Sequence, residues 1–212
     1  MITAAARRQL LAHLERARGR GFVGPGPVEP HLEHAEALAA TVGGDFGGRF
    51  LDLGSGAGVP GLALLLAWPE ARGTLLDSQQ RRCAFLDEAI RELGVAGRAD
   101  VACGRAEELA RTEDRRGAYD IVVARGFGAP ATTAECAVGF LRAGGQLVVS
   151  EPPGEPQPQR WPPEGLAELG FQGPELRGRG EGPHFAVLTL ADRASGRWPR
   201  RVGVPTKRPR WP

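Results

Sequence analysis

Short apolar segments alternate with longer helical segments through the middle of the chain, and few folds accommodate this alternation. We predict strands at 49–53, 72–77, 98–102, 119–124 and 145–150, with helices between them at 59–67, 79–93, 105–111 and 130–141. Such a pattern is typical of a parallel sheet covered by helices on both faces. A helix at 164–169 and a strand at 184–191 then predict a hairpin that closes one sheet edge. The expected fold is therefore α/β, a doubly wound, Rossmann-like and mostly parallel seven-stranded sheet.

The chain before the first strand is predicted to be helical. Residues 4–18 place leucines at helical spacing among arginines, and a second helix is expected from Val28 to Thr41. These helices would either pack on the sheet as a lid or present a surface to nucleic acid. We therefore expect an N-terminal helical extension at 1–45, an α/β domain at 46–192 and a basic tail at 193–212.

The composition argues against a membrane protein, a disulfide framework and a metal site. The longest apolar run, from Val59 to Trp68, is too short to cross a bilayer, and no signal-peptide pattern is present, which predicts a cytoplasmic location. The three cysteines, at 83, 103 and 136, have neither CxxC spacing nor paired histidines. All three are expected to be reduced packing residues.

A glycine-rich loop follows the first predicted strand and points to a ligand site. Gly54, Ser55, Gly56 and Gly58 stand between that strand and a helix, and glycines let the backbone approach a ligand without a Cβ clash. Dinucleotide enzymes use a similar turn, so the loop alone does not identify the ligand.

Two carboxylates favour S-adenosylmethionine as that ligand. Asp52 lies two residues before the first glycine, where it can reach the loop amides or, through water, a ligand ammonium group, and where it would repel a pyrophosphate. Asp77 ends the second strand, 19 residues after Gly58, where a carboxylate can accept hydrogen bonds from ribose hydroxyls. Both acids could otherwise be helix or turn caps, but two at successive strand ends favour an adenosine site.

The same region resembles the 16S ribosomal RNA guanine-N7 methyltransferases, the RsmG or GidB family, whose members have a class I methyltransferase fold. The resemblance runs from about Phe50 to Ser150 and returns in the tail. It is carried by Leu51 to Gly61, Leu75-Leu76-Asp77-Ser78 with Arg81-Arg82 and Phe85-Leu86, Arg105-Ala106-Glu107-Glu108, and Val122-Val123-Ala124-Arg125-Gly126-Phe127.

The resemblance implies a role for several of these residues. Gly54 and Val59 would line the methionine end of S-adenosylmethionine, Asp77 the ribose, and Ala106-Glu107 the adenine. Ser78 is also expected to bind the cofactor. Arg125 would stand at the mouth of the active site, between cofactor and substrate. Independently, Arg125 follows the fourth predicted strand, at the sheet edge where open α/β folds bind ligands. The substrate implied is N7 of a guanine in 16S rRNA or the 30S subunit.

The C-terminal tail is strongly basic and also resembles the family's ending. From Arg193 to Pro212 it holds seven basic residues and no acidic one, a composition suited to phosphate contacts. It could equally be a solvated end, although Trp198 and Trp211 could stack on bases or pack on the domain. The expected RNA contacts are Arg81, Arg82, Arg200, Arg201, Lys207 and Arg208.

One departure from the family keeps other functions open. The family's Asn-Leu-Thr segment is absent, and Gly24 to His31 stands in its place. A paralogue that methylates a small molecule, or a non-catalytic module that binds cofactor or RNA, therefore remains an alternative. Methyl transfer to guanine N7 needs orientation and exclusion of water but no general base, which agrees with the lack of any hydrolase or metal-ligand signature.

Overall fold

A computed structural model of the chain describes residues 2–155, 157–178 and 182–212. Within them lie seven strands: β1 (Arg49–Leu53), β2 (Arg72–Asp77), β3 (Ala99–Cys103), β4 (Tyr119–Ala124), β5 (Leu141–Ser150), β6 (Phe171–Arg177) and β7 (Phe185–Leu190). The helices are α1 (Ala4–Gly19), α2 (Glu29–Val42), α3 (Gly61–Ala67), α4 (Gln80–Glu92), α5 (Ala106–Leu109), α6 (Pro130–Val138), α7 (Pro163–Leu169) and α8 (Val204–Lys207).

The strands form one sheet in the order β3-β2-β1-β4-β5-β7-β6. The first five are parallel, and β7 pairs antiparallel with both β5 and β6. The order reverses direction between β1 and β4, so a crevice opens at their carboxyl ends. The predicted sheet and closing hairpin are confirmed.

Alternate residues of the strands feed two hydrophobic cores, one on each face. In β1, Phe50 faces a core built with α1 to α4, whereas Leu51 faces a core built with α5 to α7, as the period of two in a strand requires. Leu10 of α1 and Leu32 of α2 are fully buried in the first core. The N-terminal helices therefore pack against one face of the sheet.

The element boundaries differ most at β5. We predicted a helix to residue 141, but α6 ends at Val138 and β5 begins at Leu141. Leu141 pairs with Tyr119, and the register shifts before Ile121. Pairing with β4 therefore extends the strand backward from its predicted start at residue 145 to Leu141.

The prediction that all three cysteines are reduced is wrong for two of them. Cys83 and Cys103 form a disulfide, with their Cα atoms 5.8 Å apart, while Cys136 is free and buried. Cys83 lies in the first turn of α4 and Cys103 ends β3, against which α4 packs. This packing brings the two residues together despite their separation in sequence.

Candidate cofactor and substrate site

Three cavities meet at the carboxyl edge of the sheet, around the loop Arg125–Ala129 that follows β4. The first, of about 370 Å³, is lined by Asp77, Glu107 and neighbours; the second, of about 540 Å³, by residues that follow β5. The third, of about 300 Å³, lies over the glycine loop. All three share Gly126, so this loop separates cavities that could hold two different molecules.

The glycine loop takes a conformation that requires its glycines. Gly54, Gly56 and Gly58 have φ of 77°, 56° and 97°, a region that other residues rarely adopt. A Cβ at Gly54 would lie 2.7 Å from Phe127 and one at Gly58 2.3 Å from Leu62. The amides of Gly54 and Ser55 donate to the carbonyl of Leu76 on the neighbouring strand, which fixes the loop at the cavity wall.

The Asp52 carboxylate is buried beneath this loop and caps the helix that follows. Its Oδ2 accepts a hydrogen bond of 2.9 Å from the Gly61 amide, and its backbone carbonyl accepts one from the Ser55 hydroxyl. Burial raises the pKa of Asp52 to about 6, against the opposing effect of these hydrogen bonds. The structure therefore shows the helix-cap alternative, because the Gly61 amide opens α3, whereas the loop amide of Gly56 donates to Asp77.

Asp77 lies at the rim of the first cavity with both carboxylate oxygens oriented by amides. Oδ2 accepts from the Gly56 amide and Oδ1 from the Gln79 amide, each at 2.9 Å. Each oxygen keeps a second lone pair, and Arg82 stands 3.6 Å away. A fixed carboxylate on the wall of a cavity fits the paired hydroxyls of a ribose.

Ala106 and Glu107 line the first cavity together with Gly54, Asp77 and Ser78. Oε1 of the buried Glu107 accepts from Arg105 at 3.0 Å and from the Gly203 amide at 2.9 Å. Burial favours a raised pKa for Glu107, but these hydrogen bonds outweigh it and lower the pKa. The carboxylate is therefore ionised and held by the C-terminal tail.

Arg125 stands between the second and third cavities. Its Nη2 bonds His31 Nδ1 at 2.9 Å, while its buried Nη1 has no partner among the described residues. Burial and the nearby guanidinium lower the pKa of His31, so the imidazole accepts the hydrogen bond. His34, which bonds Ser150 at 2.8 Å, has a pKa lowered to about 4 by burial.

Sequence reasoning gave no role to His13, which nevertheless holds the glycine loop. Its Nε2 donates to the Ala57 carbonyl at 2.8 Å and its ring stacks on Phe85 with centroids 4.2 Å apart. The side chain comes from α1, far from the loop in sequence. Its one signal in the sequence was a polar residue on the apolar stripe of α1.

The basic residues assigned to RNA fall into three groups. Arg200 donates from Nε and Nη2 to the fully buried carboxylate of Glu135. It therefore has a structural role, and we no longer count it among the residues expected to contact RNA. Arg82 is half-buried and lines the first and third cavities. The others are exposed: Arg81, Arg201, Lys207 and Arg208.

The described residues show neither a membrane helix nor a metal site. No helix among them is long and apolar enough to span a bilayer. No group of three or more His, Cys, Asp or Glu side chains among them could hold a metal ion. The site therefore has to be interpreted from its cavities and paired side chains.

The strand order, the glycine loop and the carboxylate at the end of β2 define a class I S-adenosylmethionine-dependent methyltransferase. Solved structures share this fold: an S-adenosylmethionine-dependent methyltransferase from Aquifex aeolicus (TM-score 0.56, 15% identity) covers 78% of this chain, and 94% of that protein is matched. A predicted O-methyltransferase from Agrobacterium tumefaciens gives 0.57 at 23% identity, over 76% and 82% of the two chains.

More specifically, the chain belongs to the family of rRNA small subunit methyltransferase G, whose family model matches residues 28–151. Relatives named ribosomal RNA small subunit methyltransferase G are similar over most of the chain. The Thermotoga neapolitana protein is 36% identical, covering 84% of this chain and 79% of its own length. The Deinococcus radiodurans protein is also 36% identical, with coverages of 84% and 73%. The predicted family and the predicted enzyme class are confirmed.

Proposed function

We propose that the enzyme transfers a methyl group from S-adenosylmethionine to N7 of a guanine in small-subunit ribosomal RNA. The observation that carries the proposal is the convergence of three cavities on the Arg125–Ala129 loop. One of them is lined by the fixed carboxylate of Asp77, and beside another lies a guanidinium nitrogen of Arg125 that has no partner in the described part of the chain. The relatives named ribosomal RNA small subunit methyltransferase G supply the substrate class.

The first and third cavities fit the cofactor. Asp77 would bind the ribose, Ser78, Ala106 and Glu107 would line the adenine, and the glycine loop would pass under the methionine end. The loop residues in that role are Asp52, Gly54, Ser55, Gly56, Gly58 and Val59. At Gly54 and Gly58 a side chain would clash with the walls, which explains the requirement for bare backbone there. When bound, S-adenosylmethionine supplies an electrophilic methyl group on a sulfonium.

The second cavity would receive the target base. Its volume of about 540 Å³ lies within the ~300–1,000 Å³ typical of small-ligand sites. A base reaches such a site after it leaves its stack. The guanidinium of Arg125, with Nη1 free of partners in the described structure, would donate to an acceptor of the base or to a phosphate, which orients the N7 lone pair toward the methyl carbon.

The side chains around this cavity suit a nucleophile that needs no deprotonation. His34 bonds Ser150, and Glu151 bonds Arg160 and Trp161. Guanine N7 already has a free lone pair, so the enzyme contributes orientation and exclusion of water. The new bond forms between N7 and carbon as the sulfur–carbon bond breaks, and no proton moves. No metal is required.

The outer cations would hold the RNA. We assign phosphate contacts to Arg82, which lines the first and third cavities, to its exposed neighbour Arg81 on α4, and to Arg201, Lys207 and Arg208 on the exposed tail. The natural substrate would be the 30S subunit or its 16S rRNA, which places the activity in the cytoplasm.

The test is transfer of tritium from labelled S-adenosylmethionine to 30S subunits and to naked 16S rRNA from a strain that lacks this gene. The position of the label is mapped by strand cleavage at N7-methylguanine. Arg125→Ala should lose most of the transfer, whereas Arg142→Ala, which alters an exposed arginine paired with Asp120, should not. Cofactor binding without any RNA labelling would contradict the proposal and favour a small-molecule substrate or a non-catalytic module.

A further inference from the structure

The last residues of the chain form a strap, Trp198–Trp211, that is anchored at both ends. Trp198 and Trp211 are buried; their indole N–H groups donate to the carbonyls of Glu168 and Arg160. Near the first anchor, Arg200 binds the buried Glu135 through its guanidinium and its amide. Buried aromatic anchors and a buried ion pair hold the two ends of the segment.

The middle of the strap crosses the first cavity. The Gly203 amide donates to Glu107 at 2.9 Å, and the Thr132 hydroxyl donates to the Pro205 carbonyl at 3.1 Å. Thr206 and Pro209 then line the same cavity as Asp77. The wall that faces the expected adenine is therefore supplied by the tail as well as by the α/β domain.

The same segment presents its charges outward. Arg201, Lys207 and Arg208 are exposed on the residues that flank the wall. One short segment thus has an inner face toward the cofactor cavity and an outer cationic face.

We propose that the strap is the adenine-recognising wall of the cofactor site, with Thr206 and Pro209 as its contacts, and that RNA bound to its outer cations strengthens cofactor binding. The second half rests on the proposed function. The Thr206 hydroxyl can donate to or accept from the polar edge of adenine, and the Pro209 ring offers an apolar surface to the purine face.

The hydrogen bond between Gly203 and Glu107 links the two halves of the proposal. If the strap moves, the buried Glu107 carboxylate loses a hydrogen-bond donor, which is costly for a buried charge. A ligand that orders the strap from either side therefore favours the conformation that the other ligand needs. Such a coupling is reciprocal by thermodynamic necessity.

The adenine contact is tested without RNA by calorimetric titration with S-adenosylhomocysteine. Thr206→Val, which removes only the hydroxyl, should weaken binding about five- to tenfold, as expected for one hydrogen bond. Thr112→Val, at an exposed threonine that does not line the cavity, is the matched control. The analogue with hypoxanthine in place of adenine should bind more weakly than S-adenosylhomocysteine to the unaltered enzyme, and Thr206→Val should reduce that difference. Equal affinities of Thr206→Val and the unaltered enzyme would overturn the adenine wall.

Limited trypsin digestion of the unaltered enzyme tests whether the cofactor orders the strap. S-adenosylhomocysteine should slow cleavage after Arg201 and Lys207 several-fold. Cleavage after the exposed Arg142, at the amino end of β5, should stay unchanged. Equal cleavage of the strap with and without ligand would overturn the ordering of the strap by cofactor.

The coupling is tested by repeating the titration with saturating 16S rRNA. The affinity for S-adenosylhomocysteine should rise at least threefold, and the rise should disappear when Arg201, Lys207 and Arg208 are all replaced by serine. Bound RNA that leaves the affinity unchanged would overturn the coupling. Failure of the RNA to bind at all would instead contradict the proposed function, with the adenine wall still supported by the two tests that use no RNA.

Discussion

Replacing Arg200 tests whether this arginine stabilises the fold or binds RNA. Its guanidinium bonds Glu135 at 2.8 and 2.6 Å, and its amide adds a third contact at 2.9 Å. The Glu135 side chain is 0% exposed and that of Arg200 23%. In Arg200→Met only the amide remains, so a buried carboxylate loses its counter-charge.

The cost follows from the burial of the pair. Removing one partner of a buried ion pair typically costs about 3–5 kcal/mol, because the charge that remains is left without its counter-charge. Arg200 is partly exposed, so we expect Arg200→Met to lower the free energy of unfolding by about 3–4 kcal/mol at pH 7.

Urea unfolding at pH 7 measures this directly. Arg201→Met, at the exposed neighbour, is the matched control and should change stability by less than about 0.5 kcal/mol. Arg200→Met combined with Glu135→Leu should recover most of the loss, since a buried pair replaced by apolar groups is often neutral. A loss for Arg200→Met as small as that of the control would refute the reasoning.

Three other predictions follow from the site and the cysteines. Because burial raises the pKa of Asp52 to about 6, the folded protein holds that proton more tightly than the unfolded chain. Between pH 4 and pH 6 the free energy of unfolding of the unaltered enzyme, measured in urea, should therefore fall by about 2–3 kcal/mol relative to that of Asp52→Asn. Parallel pH curves for the two proteins would contradict this. In Gly58→Ala, φ is 97° and the new Cβ would lie 2.3 Å from the Leu62 side chain, so S-adenosylhomocysteine should bind at least tenfold more weakly by calorimetry. Gly97→Ala, where the new Cβ would meet open space, should leave this affinity unchanged. In denaturant, a thiol reagent should react with one cysteine before reduction and with three after it. In the folded protein, burial raises the pKa of Cys136 and suppresses its reaction. Three reactive thiols in denaturant before reduction would exclude the disulfide.

The fold could be predicted because its signals are local. Apolar strands followed by helices specify a parallel sheet, and the antiparallel hairpin follows from the last apolar segment. The start of β5 was missed because Leu141 is held by its pairing with Tyr119, a contact that depends on the neighbouring strand rather than on local residue preference.

The site was predictable where backbone chemistry demands particular residues and less so elsewhere. Gly54 and Asp77 stand out because a tight loop and a strand end need them. Arg200 resembled any other tail arginine, since its partner Glu135 lies 65 residues away. The disulfide was missed for the same reason, because only the packing of α4 on β3 brings its cysteines together.

The cofactor site depends on three parts of the chain that the sequence divides into an extension, a domain and a tail. His13 of the extension bonds the glycine loop, Asp77 of the domain presents a carboxylate to the first cavity, and Gly203 of the tail bonds Glu107. A truncation at residue 45 or 193 would therefore remove contacts to the site together with buried core residues such as Leu10 and Trp198. Binding of the cofactor should in turn stabilise the extension and the tail, since a ligand that binds only the assembled site favours that state. The RNA contacts that we propose for the tail would thus influence methyl transfer without touching the target base.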